Sequence, residues 1–250
     1  MGLLSNGIDR EELKPGDHIY SWRQAFIYAH HGIYVGQGKV MHFTQGPAGQ
    51  DNNGVFIISS SSPPQFLDDH PCPRCGGGDT SRLNGAAVVL SFIDCFVSGG
   101  VDLNLFEYGV SQSYFLAKVR GGTCTLATSD PPEDVLHRAN VLLENGFGFY
   151  DVFKNNCEDF AIYCKTGLLV IPTTSRAGQS GQAASLGAAA MGIISSVACL
   201  ATRFRGLVAV SSGVYYCLSR LASDIGVRSD VAKVAVERLV AHHTSAPVWD

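Results

Sequence analysis

Cys157 directly follows Asn156, a residue type that caps helices, and Asp159 stands at the third position of the helix such a cap would open. A cysteine placed in this way lies in the first turn, beside unpaired N–H groups and the positive end of the helix dipole. Both favour the thiolate, which is the nucleophilic form of sulfur. Glu158 and Asp159 put negative charge in the same turn and push the thiol pKa back up. Activation must then come mainly from an imidazole. His30 and His42 lie twelve positions apart around Gly36-Gln37-Gly38, and a tight turn centred near Gln37 sets them opposite each other on paired strands. One can serve as base while the other holds it in the required tautomer. Each element alone has a plainer explanation, because a helix-start cysteine is usually a small buried hydrophobe and hairpin histidines are often simple cross-strand partners. Together they point to thiol chemistry.

The elements that must position these groups are readable around them. Lys14-Pro15-Gly16-Asp17 is turn chemistry, and a strand over 18–23 follows it. Gly32-Ile33-Tyr34-Val35 and Lys39-Val40-Met41-His42-Phe43 form the arms of the hairpin. Residues 44–82 read as loops around one short strand at Val55-Phe56-Ile57-Ile58. Ala86 to Phe96 is apolar enough for a strand or a short helix, and Phe115-Leu116-Ala117-Lys118-Val119 alternates as a strand does. Ser129-Asp130-Pro131-Pro132-Glu133 opens a helix that ends at Asn145-Gly146. The Cys157 helix ends at Lys165 and Gly167. Residues 177–202 carry no charge and are rich in Ala, Gly and Ser, a length that could span a bilayer or pack as a small-residue helix. A second uncharged stretch runs from Gly206 to Ser219, and Val231 through His243 reads as one amphipathic helix.

Three blocks, His30-His31-Gly32-Ile33-Tyr34-Val35-Gly36, Val40-Met41-His42-Phe43 and Asn156-Cys157-Glu158-Asp159-Phe160, resemble the signature of the lecithin:retinol acyltransferase (LRAT)-type domain. They also resemble related phospholipase/acyltransferases and the plant proteins in which this unit is called the NC domain. The resemblance covers roughly residues 13–170. It implies an α+β, permuted papain-like (NlpC/P60-type) fold with an antiparallel sheet and a cysteine-bearing helix, followed by a mostly helical C-terminal extension over 176–250. It further implies Cys157 as nucleophile, His30 as base and His42 as third member, with an acyl-thioester resolved by water, an amine or an alcohol. By motif position the base is His30, and His31 takes an adjacent place that is usually aromatic. Asp159 departs from the histidine or arginine that often follows Cys-Glu in animal members, and the stretch 60–112 exceeds a minimal domain.

Composition bounds the remaining possibilities. A chain of 250 residues, 46% hydrophobic, can bury a sizeable core, and a net charge of −4 gives no field to hold nucleic acid. Asp9, Arg10, Glu11 and Glu12 precede any long apolar run, so the eight cysteines are expected to be reduced, intracellular and cytoplasmic thiols. Cys72 and Cys75 form half of a zinc knuckle, with Cys95 a third candidate ligand and His70 or Cys124 a fourth. No second pair follows, so neither a metal nor any other cofactor is expected. Met1-Gly2 offers a weak myristoylation signal, since Asn6 stands where Ser or Thr is preferred. The expected partner is a phospholipid or other acyl ester, met at a membrane surface through residues 177–219. Two other readings compete with this one: a catalytically weak or inactive adaptor that keeps the fold for interaction, and an amidase or peptidase.

Overall fold

The computed structural model describes residues 6–23, 26, 28–45, 86–98, 100, 102–118, 120–151, 155–171 and 205–244. Strands β1 (His18–Arg23), β2 (Tyr28–Gly36), β3 (Lys39–Gln45), β4 (Ala86–Phe92) and β5 (Asn104–Leu105) form an antiparallel sheet in the order β4-β3-β2-β1-β5. The β2–β3 hairpin turns through Gln37 and Gly38, both at positive φ (54° and 68°), the conformation a two-residue primed turn demands.

Side-chain alternation gives the sheet two different faces. Ile33, Met41, Phe43 and Val88 point to one side. There they meet α3 (Pro132–Asn145) through Val135, Ala139 and Leu142, and α4 (Cys157–Thr166) through Phe160, Ala161, Tyr163 and Cys164. Ile19 and Val40 point to the other side, against Ile93 and Phe96 of the short helix α1 (Ile93–Val97). Gly32 lets that second face close. A Cβ there would lie 2.7 Å from Val40 Cγ1 and 3.0 Å from both the Met41 carbonyl and the Phe96 ring.

The mixed architecture, with an antiparallel sheet and helices packed on it, agrees with the α+β expectation. The apolar run from Ala86 divides into strand β4 and helix α1, so both readings apply in succession. Two local expectations are corrected. Of the strand expected over 115–119, the described residues 115–118 are not a strand. Helix α2 (Gln112–Ala117) occupies most of them, because the Ser111 hydroxyl caps it by accepting the Tyr114 N–H, and a five-residue alternation is too short to outweigh a cap. The segment from Val231 is not one helix either. Val231–Lys233 pairs as β7 with β6 (Leu168–Val170), and only then does the helix α6 (Val236–Thr244) begin. Val236 is buried in the α3–α4 core. Helix α5 (Arg205–Ser223) covers the second uncharged stretch, and its Arg220 is buried against carbonyls of Phe115, Lys118 and Arg120. Among the described residues no helix is long and apolar enough to cross a membrane. The strand expected at 55–58, the half-knuckle at Cys72 and Cys75, and the uncharged 177–202 stretch lie outside the described residues.

Candidate active site

Helix α4 begins as its sequence directs. The Asn156 side chain accepts from the N–H groups of Glu158 (2.8 Å) and Asp159 (3.2 Å), while the Asp159 carboxylate accepts the Asn156 N–H at 2.8 Å, which completes a capping box. Gly167 closes the helix in the left-handed conformation. Cys157 is thereby fixed at the first helical position, 5% exposed. Asp159, a charge that opposes the thiolate, is the same group that builds the cap.

The thiol rests against strand β2. Residue pairing between β2 and β3 runs from Gly36 back to Ile33, and the thiol lies beside the next residues of β2. Its sulfur is 3.9 Å from the Ala29 carbonyl and receives the N–H of His31, so it contacts the two residues that flank His30. Tyr150 also hydrogen-bonds the thiol. Burial pushes the Cys157 pKa up to about 12, with Glu158 and Asp159 adding to the rise and the two donors opposing it.

His30 sits on the face opposite α4, 5.3 Å ring to ring from Phe96. Its Nε2 lies 2.9 Å from His42 Nδ1, and His42 Nε2 lies 2.9 Å from the Ser91 hydroxyl of β4. Because a serine hydroxyl both donates and accepts, the chain can be satisfied in either direction; in one of the two assignments His30 donates from Nε2 to His42, and His42 donates from its own Nε2 to Ser91. That assignment leaves a lone pair on His30 Nδ1. Burial lowers both imidazoles, His42 to about 4 and His30 well below the ordinary value, with the neighbouring Arg23 cation acting on both. Among the described residues no hydrogen bond joins Cys157 to His30, and the resting thiol is directed at backbone instead.

Several groups that sequence reading missed complete the site. Arg23 pairs with Tyr28 across β1 and β2, on the His30 face. Its guanidinium is held by the carbonyls of Phe96, Val97 and Ser98 at the end of α1, within electrostatic reach of Cys157. The Tyr28 hydroxyl is buried without a hydrogen-bond partner among the described residues, and its phenol feels both Arg23 and Cys157. The strand register alone could have suggested both, because cross-strand partners share a face. Ser91 carried no signal, since β4 is separated from β3 by a long insertion.

His31 points to the α4 side, where it joins a second buried chain. Tyr108 Oη lies 2.7 Å from His18 Nδ1, and His18 Nε2 lies 2.9 Å from His31 Nδ1. The adjacent histidines thus serve separate networks on opposite faces of the sheet. Cys95 lies half-buried in α1, and among the described residues no cluster of three or more metal-binding side chains occurs.

The model of the family described as lecithin retinol acyltransferase matches residues 11–170. A curated Arabidopsis thaliana protein, Protein LEAD-SENSITIVE 1, is 54% identical over 250 residues, an alignment that covers 98% of this chain and 93% of the relative. No solved structure matches the chain.

Proposed function

The chain belongs to the lecithin retinol acyltransferase family, and from that premise we propose that it is a thiol-dependent acyltransferase or phospholipase A-type hydrolase with Cys157 as nucleophile, His30 as base and His42 as orienter. The observation that carries this reading is the hydrogen-bonded chain His30–His42–Ser91 beside a helix-capped cysteine whose thiol touches the strand bearing His30. A permuted papain-like arrangement is the finer fold description that goes with it. Within this reading, residues 13–170 carry the chemistry and 176–250 extend it.

The resting pair is neutral, a thiol and an imidazole, because burial raises one pKa and lowers the other. Proton transfer therefore accompanies attack. The Cys157 sulfur bonds to the acyl carbonyl carbon as its proton passes to His30 Nδ1, and the imidazolium is stabilised through His42 and Ser91. Collapse breaks the ester C–O bond, and His30 returns the proton to the leaving alkoxide. Water, an amine or an alcohol then attacks the thioester with His30 again acting as base, which releases the product and restores the thiol. The oxyanion has two donor candidates, the Cys157 N–H at the helix start and the unpartnered Tyr28 hydroxyl, with Arg23 as the nearby cation.

A lipid substrate is supported by α5, where Val210, Val214, Tyr215 and Leu218 are 66%, 52%, 51% and 59% exposed on one uncharged helix face. Such a face suits contact with a membrane surface inside the cell. An activity-based acyl or fluorophosphonate-type probe tests the reaction: it should label Cys157 and fail to label Cys157→Ala. Hydrolysis of a peptide panel with phospholipid untouched would transfer the site to amidase chemistry. A second reading, an inactive adaptor, is favoured by the raised thiol pKa and the carboxylates beside it. Full biological rescue by Cys157→Ala would select it.

A further inference from the structure

The start of α4 has few free donors. The Asn156 side chain takes the N–H groups of Glu158 and Asp159, and the Asp159 carboxylate takes that of Asn156. Only the N–H of Cys157 itself is left to receive an oxyanion forming at the sulfur. In the structure it has a partner, because the Tyr150 hydroxyl accepts this N–H and donates to the Cys157 sulfur. A single phenol oxygen thus engages the nucleophile and its backbone donor together.

The segment that carries Tyr150 is built as a strap. Gly146 and Gly148 adopt φ of 84° and 91°, and Phe147 between them is buried in the core. Phe149 points outward and is 70% exposed. Asn155 Nδ2 ties the strap beside the catalytic helix by donating to the carbonyls of Phe147 (3.0 Å) and Phe149 (2.9 Å). Tyr150 leans on Phe43 with ring centroids 5.0 Å apart and is half-buried, whereas Phe147 is fully inside the core.

We propose that the Tyr150 hydroxyl occupies the acyl-oxygen position of the resting site, and that an ester substrate binds by displacing it. The inference rests on the acyl-transfer reading above and names the place where the substrate carbonyl docks. The exchange is one acceptor for another: the Cys157 N–H passes from phenol to acyl oxygen, and the phenol passes to water. The thiol loses one donor in the same step, while His30 takes its proton.

Tyr150→Phe separates the two contacts, because it keeps the ring on Phe43 and removes the oxygen. Single-turnover acylation by p-nitrophenyl butyrate should become faster, by about fivefold for one released hydrogen bond. Alkylation by iodoacetamide, which needs no oxyanion site, should shift its pH profile upward because the thiolate has lost a donor. Slower acylation would overturn the proposal and make Tyr150 a donor in the reaction; unchanged acylation with an unshifted alkylation profile would overturn it as well. Should Tyr150→Phe fail to fold, Tyr150→Met is expected to move both rates in the same two directions. If neither wild type nor variant is acylated, the acyl-transfer reading fails. The alkylation profile then decides alone, an upward shift retaining the Tyr150 contact and an unshifted one removing it.

Discussion

His30 Nε2 and His42 Nδ1 face each other at 2.9 Å across strands β2 and β3. In the proposed reaction this contact makes two histidines of one hairpin a base and its orienter, and Ser91 at 2.9 Å from His42 continues the chain. Removal of the base and of the orienter should therefore have unequal consequences. His30→Ala is expected to lower single-turnover acylation by about 10²–10⁴-fold, the ordinary worth of a positioned base. His42→Gln keeps a polar side chain at the place and should cost less, with the loss in acylation rate rather than in ester binding. Equal losses for the two variants would contradict the division of roles.

The resting pair should behave as a neutral one. With burial holding Cys157 up near 12 and His30 well below its ordinary value, thiolate is scarce at neutral pH. Iodoacetamide alkylation of Cys157 should rise steadily as pH increases from about 7 to about 10. A rate already level between about pH 5 and pH 8 would instead show a preformed thiolate–imidazolium pair.

Acid should destabilise the fold through its buried histidines. His18, His30, His31 and His42 all have folded-state pKa values below the unfolded 6.5, burial being the largest cause, and His31 and His42 are held near 3 and 4. Between those values and 6.5 the unfolded chain binds more protons, so stability is lost as pH falls below 6.5. At about pH 5 the loss is roughly 2 kcal/mol for each of His31 and His42. Urea midpoints at about pH 7.5 and pH 5 would show it, and replacing His31 with Phe should flatten part of the decline.

Asn156 should matter to both fold and site. Asn156→Ala removes the side-chain acceptor for two helix N–H groups and should cost about 1 kcal/mol, read as a lower urea midpoint. The other half of the box, from the backbone N–H of residue 156 to the Asp159 carboxylate, survives the substitution. An unchanged midpoint would mean that the cap contributes nothing.

Which parts of this molecule could be read from its sequence follows from how local the causes are. The Asn156–Asp159 box, the Gly36-Gln37-Gly38 turn and the end of α3 at Gly146 are each written within a few residues, and the structure places them where the sequence does. The His30–His42 contact was accessible as a pairing of the two hairpin arms, but not its geometry: with Ile33 opposite Met41 and a register shift between Tyr34 and Gly36, the two histidines meet diagonally and not directly opposite each other. Ser91, Tyr108 and Arg220 act across 49, 90 and about 100 positions, and nothing in a single chain announces such pairings. The same limit explains why Val231–Lys233 looked helical. Its strand character comes from Leu168–Val170, over sixty positions away.

The thioester is the species on which the whole account depends, and intact-protein and peptide mass spectrometry after brief exposure to an activated acyl ester detects it directly. The expected result is one added acyl group, mapped to Cys157, released by hydroxylamine and absent from Cys157→Ala. Acyl turnover that persists in Cys157→Ala, or an acyl group mapped to another residue while Cys157 stays free, would contradict it.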